Sequence, residues 1–456
     1  MNRAIHAHQH GDLDTAERLY RQVLARNLAQ PDALHFLGVL SHQRGRSDEA
    51  VGLIQTALKA TPDHPDAHNN LGNIHNECGR LAEAEACYRR ALACAPGHAD
   101  ALGNLGMVLE AQERLPDAFA VYGQLLQLAP QAARAHYLMG MFVRKHAEGI
   151  EHVEQALTLF RRAFELDASM LVALEAEGVT LYALQRHEEA RQVYRDWLDR
   201  DPDNPIPRHM LAACGGAAAP TRADDDYVRA EFDGFAERFD RQLLEKLNYH
   251  APQVLAGALA KLLPPGAACD VLDAGCGTGL CAPLLRPHAR HLVGVDLSGG
   301  MLEQARRRGG YDELIEAELT AYLQHHPGAF DVVLSADTLV YFGDLVPVLA
   351  AMHAALRPGG WLVFSLEALA AEGFALSYSG RYQHARGYVE QTLRDAGFAE
   401  IAIAADSLRK EAGQPVASWV VSARRPAPDG IHANEGGQIG SDGGTQAMAP
   451  PVAGRR

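Results

Sequence analysis

The stretch Val271-Leu272-Asp273-Ala274-Gly275-Cys276-Gly277-Thr278-Gly279 is the part of the sequence that indicates the fold most strongly. A short apolar run, of the kind that forms a buried strand, leads into a turn with glycine at every second position. Because glycine has no Cβ, it adopts positive φ at little cost and lets a ligand lie against the backbone. A strand followed by such a turn favours a loop that holds a ligand below the start of a helix. A glycine-rich turn without a ligand is the alternative.

The chain around this stretch alternates between helical and strand patterns, which predicts a mostly parallel sheet with helices on both faces. We expect strands at Asp270–Asp273, His291–Val295, Leu314–Ala317, Phe330–Ser335 and Trp361–Ser365, and a late pair at Ile401–Ala405 and Ala417–Ala423. Ligands of such sheets bind beyond the carboxyl ends of the strands. Asp296, Glu318 and Asp337 each follow one of the expected strands.

Asp296 narrows the choice of ligand. A carboxylate at the end of the second strand can accept hydrogen bonds from both ribose hydroxyls of a nucleoside. Nicotinamide dinucleotide proteins and S-adenosylmethionine proteins share that geometry, but a dinucleotide fingerprint is spaced G-x-G-x-x-G. Here the spacing is G-x-G-x-G, with Asp273 ahead of it, where a carboxylate suits an ammonium group. The pattern therefore favours S-adenosylmethionine.

The first half of the chain repeats itself every 34 residues. The repeated positions are Gly38, Gly72, Gly106 and Gly140, then Ala50, Ala84 and Ala118, and then Pro62, Pro96 and Pro130. A fixed period of this length predicts a stacked array of helix pairs. Within one unit, Gly72 and Ala84 are small where the two helices cross, and Tyr88 fills the seam between them.

This half resembles the tetratricopeptide repeat family over residues 1–204, with about six units. The resemblance implies an α-solenoid that binds a protein or peptide in its concave groove. Asn70, Asn73 and Asn104 are candidates for gripping the backbone of an extended peptide, because an amide both donates and accepts hydrogen bonds. Equally, these asparagines are candidates for stabilising the repeats themselves.

The second half resembles class I S-adenosylmethionine-dependent methyltransferases. Three segments carry the resemblance: Asp273–Gly279, Gly294–Ser298 with Met301-Leu302, and Leu356–Gly360. The resemblance implies a Rossmann-like domain over 226–425 with a mostly parallel, seven-stranded sheet, and the whole chain is similar to bacterial methyltransferases that contain tetratricopeptide repeats. The implied cofactor-binding residues are Asp273, Gly275, Cys276, Gly277, Thr278 and Gly279 for the methionine end, Asp296 for the ribose, Leu297, Glu318 and Leu319 for the adenine, and Ala336 and Asp337 beside the sulfonium. Cys276 is expected to fill the loop and not to act as a nucleophile.

The sequence also offers candidates for residues that bind the acceptor of the methyl group. Tyr341, Arg381, Tyr382 and His384 are candidates, and His384 is a candidate base for an acceptor that carries a proton, since its unperturbed pKa lies near neutrality. An ordinary polar surface loop is the alternative. The aromatic-rich stretch Tyr227–Leu247 is expected to be a helix, either packed on the core or serving as a lid.

Composition sets further bounds. The net charge of −15 argues against a nucleic acid partner, and seven cysteines without a C-x-x-C pair argue against a metal site and against a disulfide framework. No apolar run is long enough for a membrane helix, so we expect a cytoplasmic protein without a membrane partner. We also expect a linker at 205–225 and a disordered tail at 426–456. The sequence predicts a methyltransferase whose repeats recruit a protein, with a non-catalytic, cofactor-binding scaffold as the alternative.

Overall fold

The computed structural model describes residues 1–427 except 235, 242, 245, 246, 412 and 413, so all but the first two residues of the expected tail 426–456 lie outside the described residues. The chain divides into two compact units. The repeat unit comprises Met1–Glu231 together with Leu376–Tyr382, and the sheet unit comprises Phe232–Ala375 together with the chain from Gln383.

Helix pairs build the repeat unit, as the 34-residue period predicts. Its helices are α1 Asn2–Gln9, α2 Leu13–Arg26, α3 Pro31–Gln43, α4 Ser47–Ala60, α5 Pro65–Glu77, α6 Leu81–Cys94, α7 Ala99–Ala111, α8 Leu115–Leu128, α9 Ala133–Lys145, α10 Ile150–Leu166, α11 Leu171–Ala183, α12 His187–Leu198 and α13 Pro205–Ala213. The described chain thus holds six pairs, α1–α2 to α11–α12, followed by one further helix.

The repeated glycines explain how tightly the paired helices approach. A Cβ placed on Gly72 would lie 2.5 Å from the Tyr88 ring, and one on Gly106 would lie 2.4 Å from the Tyr122 ring. Both rings are buried almost completely. The small residue on the first helix is therefore required by the aromatic ring on the second.

Helix α13 corrects the expected linker at 205–225. Pro205 stands at the first turn of this helix, where its missing N–H costs nothing, and the Asn204 side chain caps the helix by accepting from Ile206 N. Ile206 and Met210 pack against the α11–α12 core. The sequence predicts that regular structure ends at this proline, whereas in the structure the proline begins a helix.

The sheet unit alternates strands and helices. Its helices are α14 Asp225–Asp233, which begins in the repeat unit, α15 Ala236–Arg241, α16 Ala251–Leu262, α17 Ala282–Leu285, α18 Gly299–Arg308, α19 Leu319–Gln324, α20 Val346–Ala355 and α21 Arg386–Asp395. Its strands are β1 Cys269–Ala274, β2 Ala289–Asp296, β3 Glu313–Glu316, β4 Phe330–Ser335, β5 Leu356–Leu369, β6 Phe374–Leu376, β7 Tyr382–Ala385, β8 Ala399–Glu411 and β9 Gln414–Arg424.

The strands join in one mostly parallel sheet. The order is β3-β2-β1-β4-β5-β7-β6, and β9 pairs with both β5 and β8. Strand β9 runs antiparallel to its two neighbours, so the two late strands that the sequence predicts pair with each other. The described chain has nine strands where seven were expected, because β6 and β7 lie in the segment interpreted as a surface loop. The predicted class, helical repeats followed by a Rossmann-like sheet, is confirmed.

Both faces of the sheet are covered by apolar side chains. Leu272 and Val333 contribute to one buried cluster, while their neighbours Val271 and Val332 contribute to the other. Strands buried on both faces are characteristic of parallel sheets flanked by helices. The polar groups of the central strands therefore collect at the carboxyl edge, where β1, β2 and β4 end.

Candidate cofactor and acceptor site

The glycine loop follows β1 directly, and each of its glycines has a separate structural reason. Gly275, Gly277 and Gly279 have φ of 78°, 53° and 83°, in the region that favours glycine. A Cβ on Gly275 would collide with Thr338, and one on Gly279 would lie 3.1 Å from the Tyr311 ring. A Cβ on Gly277 would meet no atom within 4 Å, so this residue presents open backbone surface.

Asp296 lies against the middle of that loop. Its Oδ2 accepts a hydrogen bond from Gly277 N at 2.8 Å, and its Oδ1 accepts one from Ser298 N at 2.9 Å. Burial raises the pKa of this carboxyl, while the hydrogen bonds from the backbone lower it. The loop after β1 and the carboxylate that ends β2 therefore form one polar cradle.

Asp273 lies on β1 just before the loop and is fully buried. The Tyr311 hydroxyl donates to its Oδ2 at 2.6 Å, and its Oδ1 has no hydrogen-bond partner among the described residues. Burial raises the pKa of Asp273 to about 7; the Tyr311 hydrogen bond lowers it and the charge of Asp296 raises it. A buried carboxylate with one unsatisfied oxygen is suited to receive a cation.

Thr278 is held by the segment that precedes the sheet. Its hydroxyl donates to Asp240 Oδ1 at 2.5 Å, and its carbonyl accepts from Arg308 Nε at 2.8 Å. Arg308 also pairs with Asp240. The sequence interpretation assigned no role to Asp240 or Arg308, although Asp240 lies in the aromatic-rich stretch Tyr227–Leu247.

A second aspartate of this segment fastens it to the loop after β2. Asp233 accepts from Ser298 Oγ at 2.5 Å and from Gly300 N at 3.2 Å. The Phe232 ring lies 5.5 Å from the Tyr341 ring, measured between centroids. Phe235, which belongs to the aromatic-rich stretch Tyr227–Leu247, lies outside the described residues. These contacts favour the prediction that α14 and α15 cover the ligand loops.

Cys276 is a buried loop residue, and burial raises the pKa of its thiol well above the usual range. A thiol that stays protonated is a poor nucleophile. Its position is consistent with the expected role as a loop filler.

The residues predicted to contact adenine lie at the ends of β2 and β3. Both oxygens of Glu318 accept backbone N–H groups, from Thr320 and Ala321, so this carboxylate caps α19. Leu319 is buried and Leu297 is half-buried. The adenine contacts stay a prediction, and the capping bonds explain why an acidic residue stands at 318 in any case.

Asp337 follows β4 and has a φ of 54°, which is strained for a residue with a side chain. Ser365 Oγ accepts from its N–H and donates to its Oδ1 at 2.7 Å, and Arg409 lies 3.2 Å from its Oδ2. Arg409 also pairs with Glu367, and both are buried. The carboxylate of Asp337 is therefore fixed from β5 and β8, by two residues that the sequence interpretation missed.

His384 does not occupy the position of a catalytic base, which corrects the sequence interpretation. The side chain is fully buried, and its Nε2 donates to the carbonyls of Phe342 and Gly343 at 2.8 and 3.1 Å. Burial lowers its pKa to about 4. His384 ties β7 to the loop after β4 and stays neutral.

Two further acceptor candidates belong to the repeat unit. Tyr382 is fully buried and its hydroxyl donates to the Pro220 carbonyl at 2.7 Å, which corrects its assignment to an acceptor pocket. Arg381 lies in the same segment, Leu376–Tyr382. Tyr341 lies half-buried after β4, with its ring 5.5 Å from that of Phe232. Its acceptor role stays a prediction.

The groove asparagines form a hydrogen-bonded ladder between repeats. Asn104 Nδ2 donates to Asn69 and Asn73 at 3.0 and 2.9 Å, and Tyr88 OH donates to Asn73 Oδ1 at 2.8 Å. Asn70 Nδ2 donates to His35 Nε2 at 2.9 Å. The ladder stabilises the stacking, yet the Nδ2 of Asn73 and the Oδ1 of Asn70 make no hydrogen bond recorded among the described residues.

The described residues show neither a metal-binding cluster nor a membrane-spanning helix. They contain no group of three or more His, Cys, Asp or Glu side chains that would hold a metal ion. They also contain no helix that is both long and apolar enough to cross a membrane.

Comparison with known proteins identifies both units. A methyltransferase domain model matches residues 272–364. A tetratricopeptide repeat model matches residues 1–65, 43–99, 79–133 and 145–205.

Individual relatives match part of the chain. It is similar to the ubiquinone biosynthesis O-methyltransferase of Thiobacillus denitrificans, at 36% identity over 25% of this chain and 52% of that protein. It is similar to the malonyl-(acyl-carrier protein) O-methyltransferase of Salmonella typhimurium, at 34% identity over 30% of this chain and 52% of that protein. The chain thus spans about half the length of these curated relatives. A crystal structure of an S-adenosylmethionine-dependent methyltransferase from Mesorhizobium loti is 28% identical, with a TM-score of 0.30, over 38% of this chain and all of that one.

The site fits the cofactor that the methyltransferase domain implies. Asp273 offers an unsatisfied buried oxygen, Gly277 leaves open backbone surface, and Asp296 lies against it at the end of β2. This chain carries tetratricopeptide repeats followed by a methyltransferase domain whose cofactor is S-adenosylmethionine.

Proposed function

We propose that this protein transfers a methyl group from S-adenosylmethionine to an oxygen atom of an acceptor that a repeat-bound protein carries or delivers. The observation that carries the proposal is a pair of aspartates on adjacent strands, one of which holds an open glycine. Asp273 and Asp296 come from β1 and β2, and Gly277, whose N–H donates to Asp296, is the loop glycine where a Cβ would meet nothing.

Each residue of the cradle has a distinct task. Asp273 accepts from the ammonium group of the cofactor, Gly277 allows close approach to the loop, and Asp296 accepts from the ribose hydroxyls. S-adenosylmethionine supplies a methyl group on a sulfonium that is already a good leaving group. The protein therefore contributes mainly alignment and exclusion of water.

The relatives support an oxygen acceptor, since both are named O-methyltransferases. One of them acts on malonyl groups attached to a carrier protein, according to its name. A carboxylate is ionised at neutral pH and needs no base before it attacks. The neutral, buried His384 is compatible with such an acceptor.

The repeats support recruitment of a protein. Asn73 Nδ2 and Asn70 Oδ1 lie one helical turn apart on α5 and provide a donor and an acceptor. An extended peptide offers a carbonyl and an N–H at every residue, so this pair complements its backbone. The other atoms of these amides are engaged in the ladder, which holds both side chains in place.

The test is methyl transfer in cell lysate with labelled S-adenosylmethionine, followed by mass spectrometry of the labelled product. The double variant Asn70→Ala, Asn73→Ala is expected to bind the cofactor as the wild type does and to lose most of the labelled product. Asn27→Ala is the matched control, because it removes an amide from the turn between α2 and α3. We expect it to behave as the wild type does.

Two results would contradict parts of the proposal. Unchanged labelling by the double variant would overturn recruitment through the asparagines. Cofactor binding without any labelled product across many lysates would favour the non-catalytic scaffold.

A further inference from the structure

Tyr311 reaches the central carboxylate of the cradle from the loop between α18 and β3. It stands two residues before β3, and its hydroxyl crosses β2 to reach Asp273 on β1. The donor and acceptor are 38 positions apart in sequence, and the O···O distance is 2.6 Å. Such a short bond to a buried carboxylate is of the strong, charge-assisted kind.

Two glycines make room for the Tyr311 ring. A Cβ on Gly294 would lie 2.9 Å from Tyr311 Cε1, and one on Gly279 would lie 3.1 Å from Cε2. Gly294 is the β2 residue paired with Asp273 in the sheet register. Any side chain at 294 would therefore occupy the space through which the phenol reaches the carboxylate. The third glycine of the loop also serves this ring.

We propose that Tyr311 is a positioning residue for the cofactor: its hydroxyl holds Asp273 Oδ2, so that Oδ1 is the oxygen presented to the ammonium group. The inference rests on S-adenosylmethionine as the cofactor. The Asp273 oxygen that Tyr311 does not hold is the buried one without a partner. Tyr311 acts through Asp273 and does not itself touch the cofactor.

The surroundings of Asp273 set the pH at which this arrangement operates. The titratable groups that face it are Tyr311, Asp296, Cys276, Cys281 and Tyr249. Burial raises the pKa of both thiols and both phenols, so these four stay neutral near pH 7. The pKa of both carboxyls is raised, and that of Asp273, at about 7, lies within the tested range.

The test measures the affinities of Tyr311→Phe for S-adenosylmethionine and for 5′-methylthioadenosine, by calorimetry across pH 6 to 8.5. The second ligand keeps the adenosine but lacks the amino acid part, so it reports the Asp296 contacts without those of Asp273. We expect about tenfold weaker binding of S-adenosylmethionine, the size of one lost hydrogen bond to a charged group. Binding of 5′-methylthioadenosine should not change.

The pH profile separates positioning from packing. Affinity for S-adenosylmethionine should rise with pH as Asp273 ionises, and loss of the Tyr311 hydroxyl should move that rise to higher pH. Tyr322→Phe is the control, since it removes a hydroxyl from a half-buried tyrosine that stacks on His326. It should leave both affinities unchanged.

The binding measurements distinguish failure of the proposed function from failure of the role of Tyr311. A wild type that binds no S-adenosylmethionine would refute the proposed function. A wild type that binds it, with Tyr311→Phe equal to it or with both ligands weakened alike, would refute the role of Tyr311. Should Tyr311→Phe fail to fold, 3-fluorotyrosine at 311 replaces it: the more acidic phenol donates more strongly, so binding at pH 6 must tighten, and an unchanged affinity overturns the inference.

Discussion

Replacing Asp273 with asparagine should make the stability of the ligand-free protein less sensitive to a rise in pH from 5 to 8. Burial raises the pKa of this carboxyl from 3.8 to about 7 in the folded protein. Between these two values the folded state holds a proton that the unfolded state has lost, so stability falls as pH rises. The group therefore contributes its full stability below pH 4 and loses it as the pH passes through about 7.

The size of the effect follows from the shift of about three pKa units. Each unit is worth about 1.36 kcal/mol, so the full loss is about 4 kcal/mol, of which about 2–3 kcal/mol develops between pH 5 and pH 8. Asparagine cannot ionise and should remove this loss. Any constant cost of the asparagine amide cancels when the two pH values are compared.

The assay is urea unfolding at pH 5 and pH 8, followed by tryptophan fluorescence. Trp361 and Trp419 lie in β5 and β9, whereas Trp197 lies in α12. A Trp197→Phe background makes the signal specific for the sheet unit. The difference in free energy of unfolding between variant and parent should grow by about 2–3 kcal/mol from pH 5 to pH 8. A difference that is independent of pH, or that shrinks, would refute the reasoning.

Two other predictions use glycines with matched controls. Gly277→Ala and Gly266→Ala both place a side chain at positive φ in open space, so each should cost about 1–2 kcal/mol of stability. Only Gly277→Ala should weaken S-adenosylmethionine binding in calorimetry. Equal affinities of the two variants for S-adenosylmethionine would contradict the role of Gly277 as an open position in the cradle. Gly106→Ala should destabilise the repeat unit by about 1–3 kcal/mol in thermal unfolding through the Tyr122 ring, whereas Gly123→Ala, which meets nothing within 4 Å in α8, should stabilise it by up to about 1 kcal/mol. The same sign for both would show that ring contact does not set the glycine requirement.

The central strands and the cradle were predictable because their signals are local. Strand β4 begins and ends at the expected residues, Phe330 and Ser335, and β1 extends the expected strand by one residue at each end. A buried parallel strand is a short apolar run, and the residue after it lies at the ligand edge by topology alone. Asp296 beside Gly277 follows from the same rule.

The residues that hold the cradle from a distance were not predictable in the same way. Tyr311 lies 38 positions from Asp273, and Arg409 lies 72 positions from Asp337. No spacing rule connects such pairs, since only the folded sheet brings them together. The burial of His384 was not predictable either, because a histidine in a polar stretch gives no sign in the sequence that it donates to two buried carbonyl groups.

The sequence did not predict helix α13 or strands β6 and β7, because these short elements depend on their neighbours. Pro205 indicates the end of a helix when only the sequence is considered, although proline is favoured in the first turn of a helix. Strand β7 has only four residues and is stabilised in the sheet by pairing with β5. Short elements of this kind depend on their neighbours more than on their own composition.

Calorimetry of the full chain with S-adenosylmethionine, S-adenosylhomocysteine and NAD tests the identity of the cofactor. The assignment of S-adenosylmethionine predicts binding of the first two and none of NAD. It further predicts that Asp296→Ala weakens both by about two orders of magnitude or more, since two hydrogen bonds to a charged acceptor are lost. Tight binding of NAD without binding of the sulfur compounds, or an unchanged affinity in Asp296→Ala, would contradict it.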